Sequence, residues 1–124
     1  MVKKVNDKQS TIADLKALLQ TFVSDRDWNQ FHSPKNLSMS LAIEVAELME
    51  HFQWSTVEAS REIVHDPAYR ENISDELADC LSYILAIANT ANIDLAAALE
   101  SKMKKNEQKY PAAASRGRYQ RPKA

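Results

Sequence analysis

Ser40-Leu41-Ala42-Ile43-Glu44-Val45-Ala46-Glu47-Leu48-Met49 and Asp75-Glu76-Leu77-Ala78-Asp79-Cys80-Leu81-Ser82-Tyr83-Ile84-Leu85-Ala86 decide the fold of this chain. Each stretch carries two acids three residues apart inside apolar sequence: Glu44 with Glu47, and Glu76 with Asp79. On a helix such a pair shares one face, with Cβ atoms about 5–6 Å apart. Leu37, Leu41, Val45, Leu48, Met49 and Phe52 make an apolar helical stripe around the first pair. Leu77 to Ala88 is nearly all apolar, which marks a central, buried helix. Acids bordering such stripes need a reason, because burying an unpaired charge is expensive and like charges one turn apart repel. A hard divalent cation answers both problems, since Mg²⁺ prefers oxygen ligands. Two antiparallel helices facing each other would gather all four carboxylates around one or more ions. A solvated acidic face is the competing reading, and one E-x-x-E alone does not decide between them.

Working outward, the chain has 124 residues, 44% hydrophobic and 27% charged, with a net charge of −1. That is an ordinary globular balance, incompatible with disorder over most of its length. No window approaches roughly 18 uncharged apolar residues, so no membrane partner is expected. The N-terminal residues lack the apolar run of a secretory signal. A single cysteine, Cys80, excludes an internal disulfide or a cysteine zinc site and suits a reducing cytoplasm. The one glycine is Gly117. Gly-rich phosphate loops, Rossmann fingerprints and most tight hairpins are therefore excluded before it.

What remains is an all-α helical bundle, a four-helix core plus a short helix. Helices are expected over Thr11–Arg26, Asn36–Phe52, a short one from the Ser55-Thr56-Val57-Glu58 capping box to His65, Pro67–Thr90 with a break near Ser74, and Leu95–Lys109. Residues 27–34 read as a loop. Residues 1–9 read as a flexible N-terminus, 10–111 as the folded domain and 112–124 as an extended basic tail. Leu41, Val45, Leu48, Leu81, Ile84 and Leu85 are the expected core. So small a chain struggles to cover such apolar helices alone, which points to a homo-oligomer.

The charge is uneven. Residues 102–124 hold eight basic side chains against one acid, Glu107, leaving the preceding residues with a net −8. A solvated surface with a basic tail accounts for this. So does an acidic metal site accompanied by cations for a polyanionic substrate. Nucleic acid is not an expected partner, because the acidic body would repel phosphates.

Several segments together resemble one family. Asp27-Trp28-Asn29-Gln30-Phe31-His32, Lys35-Asn36-Leu37, Glu44-Val45-Ala46-Glu47-Leu48 and Phe52-Gln53-Trp54 look like the MazG-like superfamily of all-α nucleotide pyrophosphohydrolases. Asp75-Glu76-Leu77-Ala78-Asp79 with Tyr83, and Lys102-Met103 through Asn106 to Tyr110-Pro111, continue the match. It is most similar to the dCTP pyrophosphatase branch, covers Leu15 to Pro111, and is poor from Thr56 to Ser74. Asp75 departs from that branch's usual Glu and keeps the charge.

The resemblance implies a MazG-like catalytic domain over residues 10–111. It implies cleavage of a nucleoside triphosphate, with dCTP the first choice, between its α and β phosphates to a monophosphate and pyrophosphate. It further implies Mg²⁺ dependence, with Mn²⁺ as a substitute, and a homotetramer; the physiological role stays open between nucleotide-pool control or sanitation, removal of modified nucleotides, and a part in a stress or mobile-element module. Glu44, Glu47, Glu76 and Asp79 are the expected metal ligands, with Glu47 favoured as the catalytic base. Trp28 and Trp54 are candidates for stacking on a base. His32, Tyr83 and Asn106 are candidates for hydrogen bonding to substrate, Lys102 and Lys109 for phosphate, and Tyr110 for covering a base. Two other readings stand beside this one. Glu62-Ile63-Val64-His65 is a lone E-x-x-H, half of what a di-iron carboxylate bundle requires. A non-catalytic helical scaffold would leave the acids simply exposed.

Overall fold

The computed structural model describes residues 4–120. The described chain is helical, with no strand. It divides into two compact units, Met1–Asn92 and Ile93–Ala124.

The first unit holds α1 (Ile12–Asp25), α2 (Pro34–Glu50), α3 (Val57–Ile63) and α4 (Pro67–Ala91). Their starts follow from side-chain capping. Thr11 and Asp14 form a reciprocal capping box on α1, and Ser33, Thr56 and Asp66 each accept a backbone N–H from the first turn of α2, α3 and α4. Proline follows the cap of α2 and α4, where its missing N–H costs nothing. Their ends follow from residues that tolerate the left-handed region. Asp27 (φ 53°) and Asn92 (φ 53°) take the conformation usually given to glycine after α1 and α4. At Asp27 the N–H donates to the Ser24 carbonyl (3.0 Å) and the N–H of Trp28 to that of Val23 (3.0 Å), which closes α1 and sets the direction of Trp28.

α2 and α1 both pack on α4. Successive neighbours (Asn36 and Ser40 beside Tyr83, His51 beside Glu76) show that α2 and α4 run antiparallel. The Asn89 side chain donates to the Lys16 carbonyl at 3.1 Å, tying α4 to α1. The core is Val23, Leu37, Ile73, Cys80, Leu85, Ala86 and Ala88. Asn6 organises the N-terminal residues into a turn, its side-chain oxygen accepting the N–H groups of Lys8 and Gln9.

The second unit holds α5 (Leu95–Lys109) and α6 (Ala112–Ser115). Asp94 caps α5, and the Tyr110 N–H closes it on the Asn106 carbonyl.

The five expected helices are present in the expected order, with four differences. α4 is unbroken through Ser74, whose hydroxyl donates to the Arg70 carbonyl and so stays within the helix. α2 begins at Pro34, because Ser33 supplies the cap. Residues 29–31 make one 3-10 turn inside the expected loop. Residues 112–115 are helical where an extended tail is expected; residues 121–124 of that tail, like residues 1–3, lie outside the described chain.

The expected core needs a larger correction. Leu85 is buried and Leu41 and Leu48 are half-buried, but Val45, Leu81 and Ile84 are exposed, as are Ile43 and Leu77. Periodicity finds the apolar face of a helix; it does not say whether the chain itself covers that face. No single helix among the described residues is long and apolar enough to cross a membrane.

Candidate active site

One side of α2 carries Asn36, Ser40, Glu44, Glu47 and His51, and α4 answers with Tyr83, Asp79 and Glu76. The helical rise separates Ser40 from Glu44 by about 6 Å along the axis. The cleft residues Asn36, Ser40 and Tyr83 and the acidic cluster therefore occupy successive turns of one helix pair.

The acidic cluster is tight. Carboxylate oxygens of Glu44, Glu47 and Glu76 all lie within 4.8 Å of one another. Glu44 Oε2 and Glu76 Oε2 are buried and have no hydrogen-bond partner among the described residues. Burial, a hydrogen bond to Glu47, and the charges of Glu47, Asp79 and Glu76 push the Glu44 carboxyl up to about 7. Burial and the Glu47 and Asp79 charges also raise Glu76, while His51 works in the opposite direction. Asp79, one turn along α4, is exposed and outside the close group, yet its charge acts on both. Cys80, beneath the cluster, is raised by burial and by Glu44, Glu76 and Asp79.

Orphaned carboxylate oxygens this close together are costly unless a cation or shared protons offset them. An all-oxygen acidic donor set suits a hard divalent ion. The four expected ligands thus fall on one helix pair, with Glu47 between Glu44 and Glu76.

The cleft is about 310 Å³ and is lined by Trp28, Phe31, His32, Asn36, Leu37, Ser40 and Tyr83. Trp28 is held edge-on by Phe22, with ring centroids 5.8 Å apart, and the Arg26 guanidinium lies 3.7 Å above that Phe22 ring. The Asn36 side chain donates to the Phe31 carbonyl at 3.2 Å, fixing the 3-10 turn against α2. Gln20 and Asn29 share the Ser24 hydroxyl and bond each other, which holds the same turn from the α1 side.

Three of the expected substrate-binding residues, Trp28, His32 and Tyr83, therefore meet in one cleft. Trp54 does not line it: it stands 92% exposed in the turn after α2. Lys102, Asn106, Lys109 and Tyr110 belong to the second unit, where the Lys109 ammonium lies 5.3 Å from the Tyr110 ring centre. Phe31, Asn36 and Ser40 were not singled out by sequence reasoning. Asn36 and Ser40 stand eight and four residues before Glu44 on one helical face, and that spacing was the available signal.

A family model described as MazG-like matches residues 39–121, which include the whole acidic cluster. The chain belongs to the MazG-like family. It is 40% identical over 109 residues to the dCTP pyrophosphatase 1 of Rattus norvegicus, covering 88% of this chain and 64% of the relative. It is 40% identical over 104 residues to that of Homo sapiens, covering 84% of this chain and 61% of the relative. The chain thus spans somewhat under two thirds of the length of these curated relatives. A solved pyrophosphatase of Archaeoglobus fulgidus superposes with a TM-score of 0.77 at 37% identity, covering 87% of this chain and 99% of that one. Membership explains why the described chain is all-helical and why acid pairs interrupt two apolar helices. In this MazG-like chain the cleft and the cluster share the α2–α4 pair, so no separate domain is needed to bring them together.

Proposed function

We propose that this protein is a divalent-metal-dependent nucleoside triphosphate pyrophosphohydrolase, cleaving between the α and β phosphates to give a monophosphate and pyrophosphate. The observation that carries the reading is a tight carboxylate cluster on the same two helices as an aromatic and amide-lined cleft, with Ser40 of the cleft one helical turn before Glu44. A base fits the first and metal-bound phosphates fit the second.

Glu44, Glu47, Glu76 and Asp79 would hold the metal. When bound, Mg²⁺ (or Mn²⁺ in its place) offsets phosphate charge and orients or activates the attacking water. Glu44 and Glu76 carry raised carboxyls, and the Glu47 carboxylate lies against both. Glu47, placed between them, is the proposed base for the water that attacks phosphorus. Trp28 offers the nucleobase a flat apolar face, with Phe31 beside it. His32, Asn36, Ser40 and Tyr83 supply donors and acceptors around its edge. Stacking tolerates any base, so these polar groups must discriminate.

The relatives named dCTP pyrophosphatase 1 make dCTP the first substrate to try. The exposed apolar residues of α2 and α4 support a homo-oligomer, with a tetramer as the proposed state.

The test is a panel of natural and modified nucleoside triphosphates with Mg²⁺, with both products identified. The reading expects pyrophosphate and a monophosphate, with dCTP among the best substrates. Release of inorganic phosphate alone would refute the reaction. No turnover of any triphosphate would favour a scaffold. Equal use of all four deoxynucleotides would remove only the dCTP preference.

A further inference from the structure

His51, immediately after α2, takes no part in the reaction proposed above. Its Nε2 lies 3.8 Å from Glu76 Oε1, and the two side chains are only 21% and 19% exposed. The ring meets Phe52 edge-on, with centroids 6.5 Å apart and planes at 68°. Its backbone N–H donates to the Leu48 carbonyl, so the last turn of α2 carries the ring. The contact is at ion-pair range and longer than a direct hydrogen bond.

The two oxygens of Glu76 are consequently in unlike settings. Oε1 has the imidazole beside it. Oε2 is buried and has no partner among the described residues. The groups facing this carboxylate from α2 and α4 are otherwise anionic, namely Glu44, Glu47 and Asp79. His51 is the one imidazole placed against it among the described residues.

We propose that His51 is a positioning residue for the metal centre. It keeps the Glu76 carboxylate turned so that Oε1 faces the imidazole and Oε2 remains the ligand oxygen. A carboxylate free to rotate among like charges would turn away from them towards solvent. An imidazole at 3.8 Å on one side opposes that rotation without occupying the ligand position. Partners of this kind orient ligands in many metal sites, and removing one commonly costs 10–100-fold in metal affinity. The inference rests on the metal-dependent reading above and deepens it.

The experiment titrates Mn²⁺ into the metal-free full chain, read by calorimetry and by electron paramagnetic resonance of the free ion. Wild type is compared with His51→Leu, His51→Gln and Glu44→Gln. Expected is a roughly 10–100-fold weaker Kd for His51→Leu. His51→Gln keeps a side-chain N–H donor and should recover most of that loss. The metal-free proteins should melt alike, because what is lost is orientation rather than packing. Binding by His51→Leu within twofold of wild type, while Glu44→Gln binds weakly, would overturn this inference and leave the metal site standing. Equal loss in His51→Leu and His51→Gln would overturn it too. Failure of the wild type to bind Mn²⁺ would overturn the metal reading itself.

Discussion

Replacing Glu44 by glutamine removes one charge from the cluster and keeps the side chain's shape. The oxygens of Glu44, Glu47 and Glu76 lie within 4.8 Å of one another, a distance at which each like-charge pair costs about 1 kcal/mol at the dielectric of water and about 3.5 kcal/mol at an effective value near 20. Glu44 makes two such pairs. Its side chain is half-exposed, so solvent screening places the relief near the lower bound, on the order of 2 kcal/mol. For a domain of this size that is a rise in Tm of roughly 6–12 °C. The relief depends on pH. The folded carboxyl titrates at about 7 against an ordinary 4.5, so between these values the folded state holds a proton that the unfolded chain has lost. Stability from that proton is fully present below pH 4.5 and is lost as pH rises through 7. The wild-type metal-free protein should therefore lose stability across that window, and Glu44→Gln should not. The Tm gap should be large at pH 8 and nearly absent at pH 5. Mg²⁺ should act in the opposite sense. At a hundred times its Kd it adds about 2.7 kcal/mol to the wild type and much less to the variant. Thermal melts at fixed protein concentration, with Mg²⁺ or chelator, measure all of this. A gap independent of pH, or an equal metal-induced rise in both proteins, would refute the argument.

Trp28→Ala should raise KM for every good substrate by roughly 5- to 100-fold, as expected from about 1–3 kcal/mol of lost stacking, with little change in Tm; steady-state kinetics on three triphosphates checks it. Ser40→Ala removes a hydroxyl from the cleft wall and should alter the ratio of kcat/KM between bases more than it alters stability; an unchanged ratio across the panel would exclude Ser40 from recognition. Leu85 is 4% exposed in the core, so Leu85→Ala should cost about 2–5 kcal/mol by chemical denaturation. Sedimentation should find an assembly of several chains, and a 14.0 kDa monomer at micromolar concentration would count against the oligomer.

The fold was legible because local signals agreed. Thr11, Thr56, Asp66 and Asp94 each stand before a helix and each caps it, as expected, whereas the Ser33 cap of α2 was missed. The acid pairs were legible for a different reason: a charge in an apolar helix conflicts with burial, and such conflicts mark sites. Less visible was what one helix face presents to another. Asn36 and Ser40 read as ordinary polar residues until α4 brings Tyr83 beside them. His51 belongs to no acid pair and has no spacing signal, so its contact with Glu76 required the antiparallel helix pair. Val45, Leu81 and Ile84 were expected inside and are exposed, because an apolar stripe reads the same whether its cover is the same chain or another.

The α2–α4 seam shows which demand this fold was shaped to meet. Leu37, Ile73 and Leu85 show that the two helices can bury apolar side chains well. Apolar residues at 44 and 76 would remove the mutual repulsion and the orphaned oxygens, and buried charges exchanged for well-packed apolar groups often leave a protein as stable or more so. Instead Glu44 and Glu76 each leave an oxygen buried without a partner among the described residues, around a third carboxylate, while a histidine stands against the far oxygen of one of them. A surface kept acidic for solubility has no need to bury the acids. A scaffold has no need to crowd them. An arrangement that is unfavourable by itself and relieved by one hard cation fits the metal-dependent hydrolase proposed above, because the same unsatisfied oxygens that weaken the metal-free protein would supply the affinity for the ion.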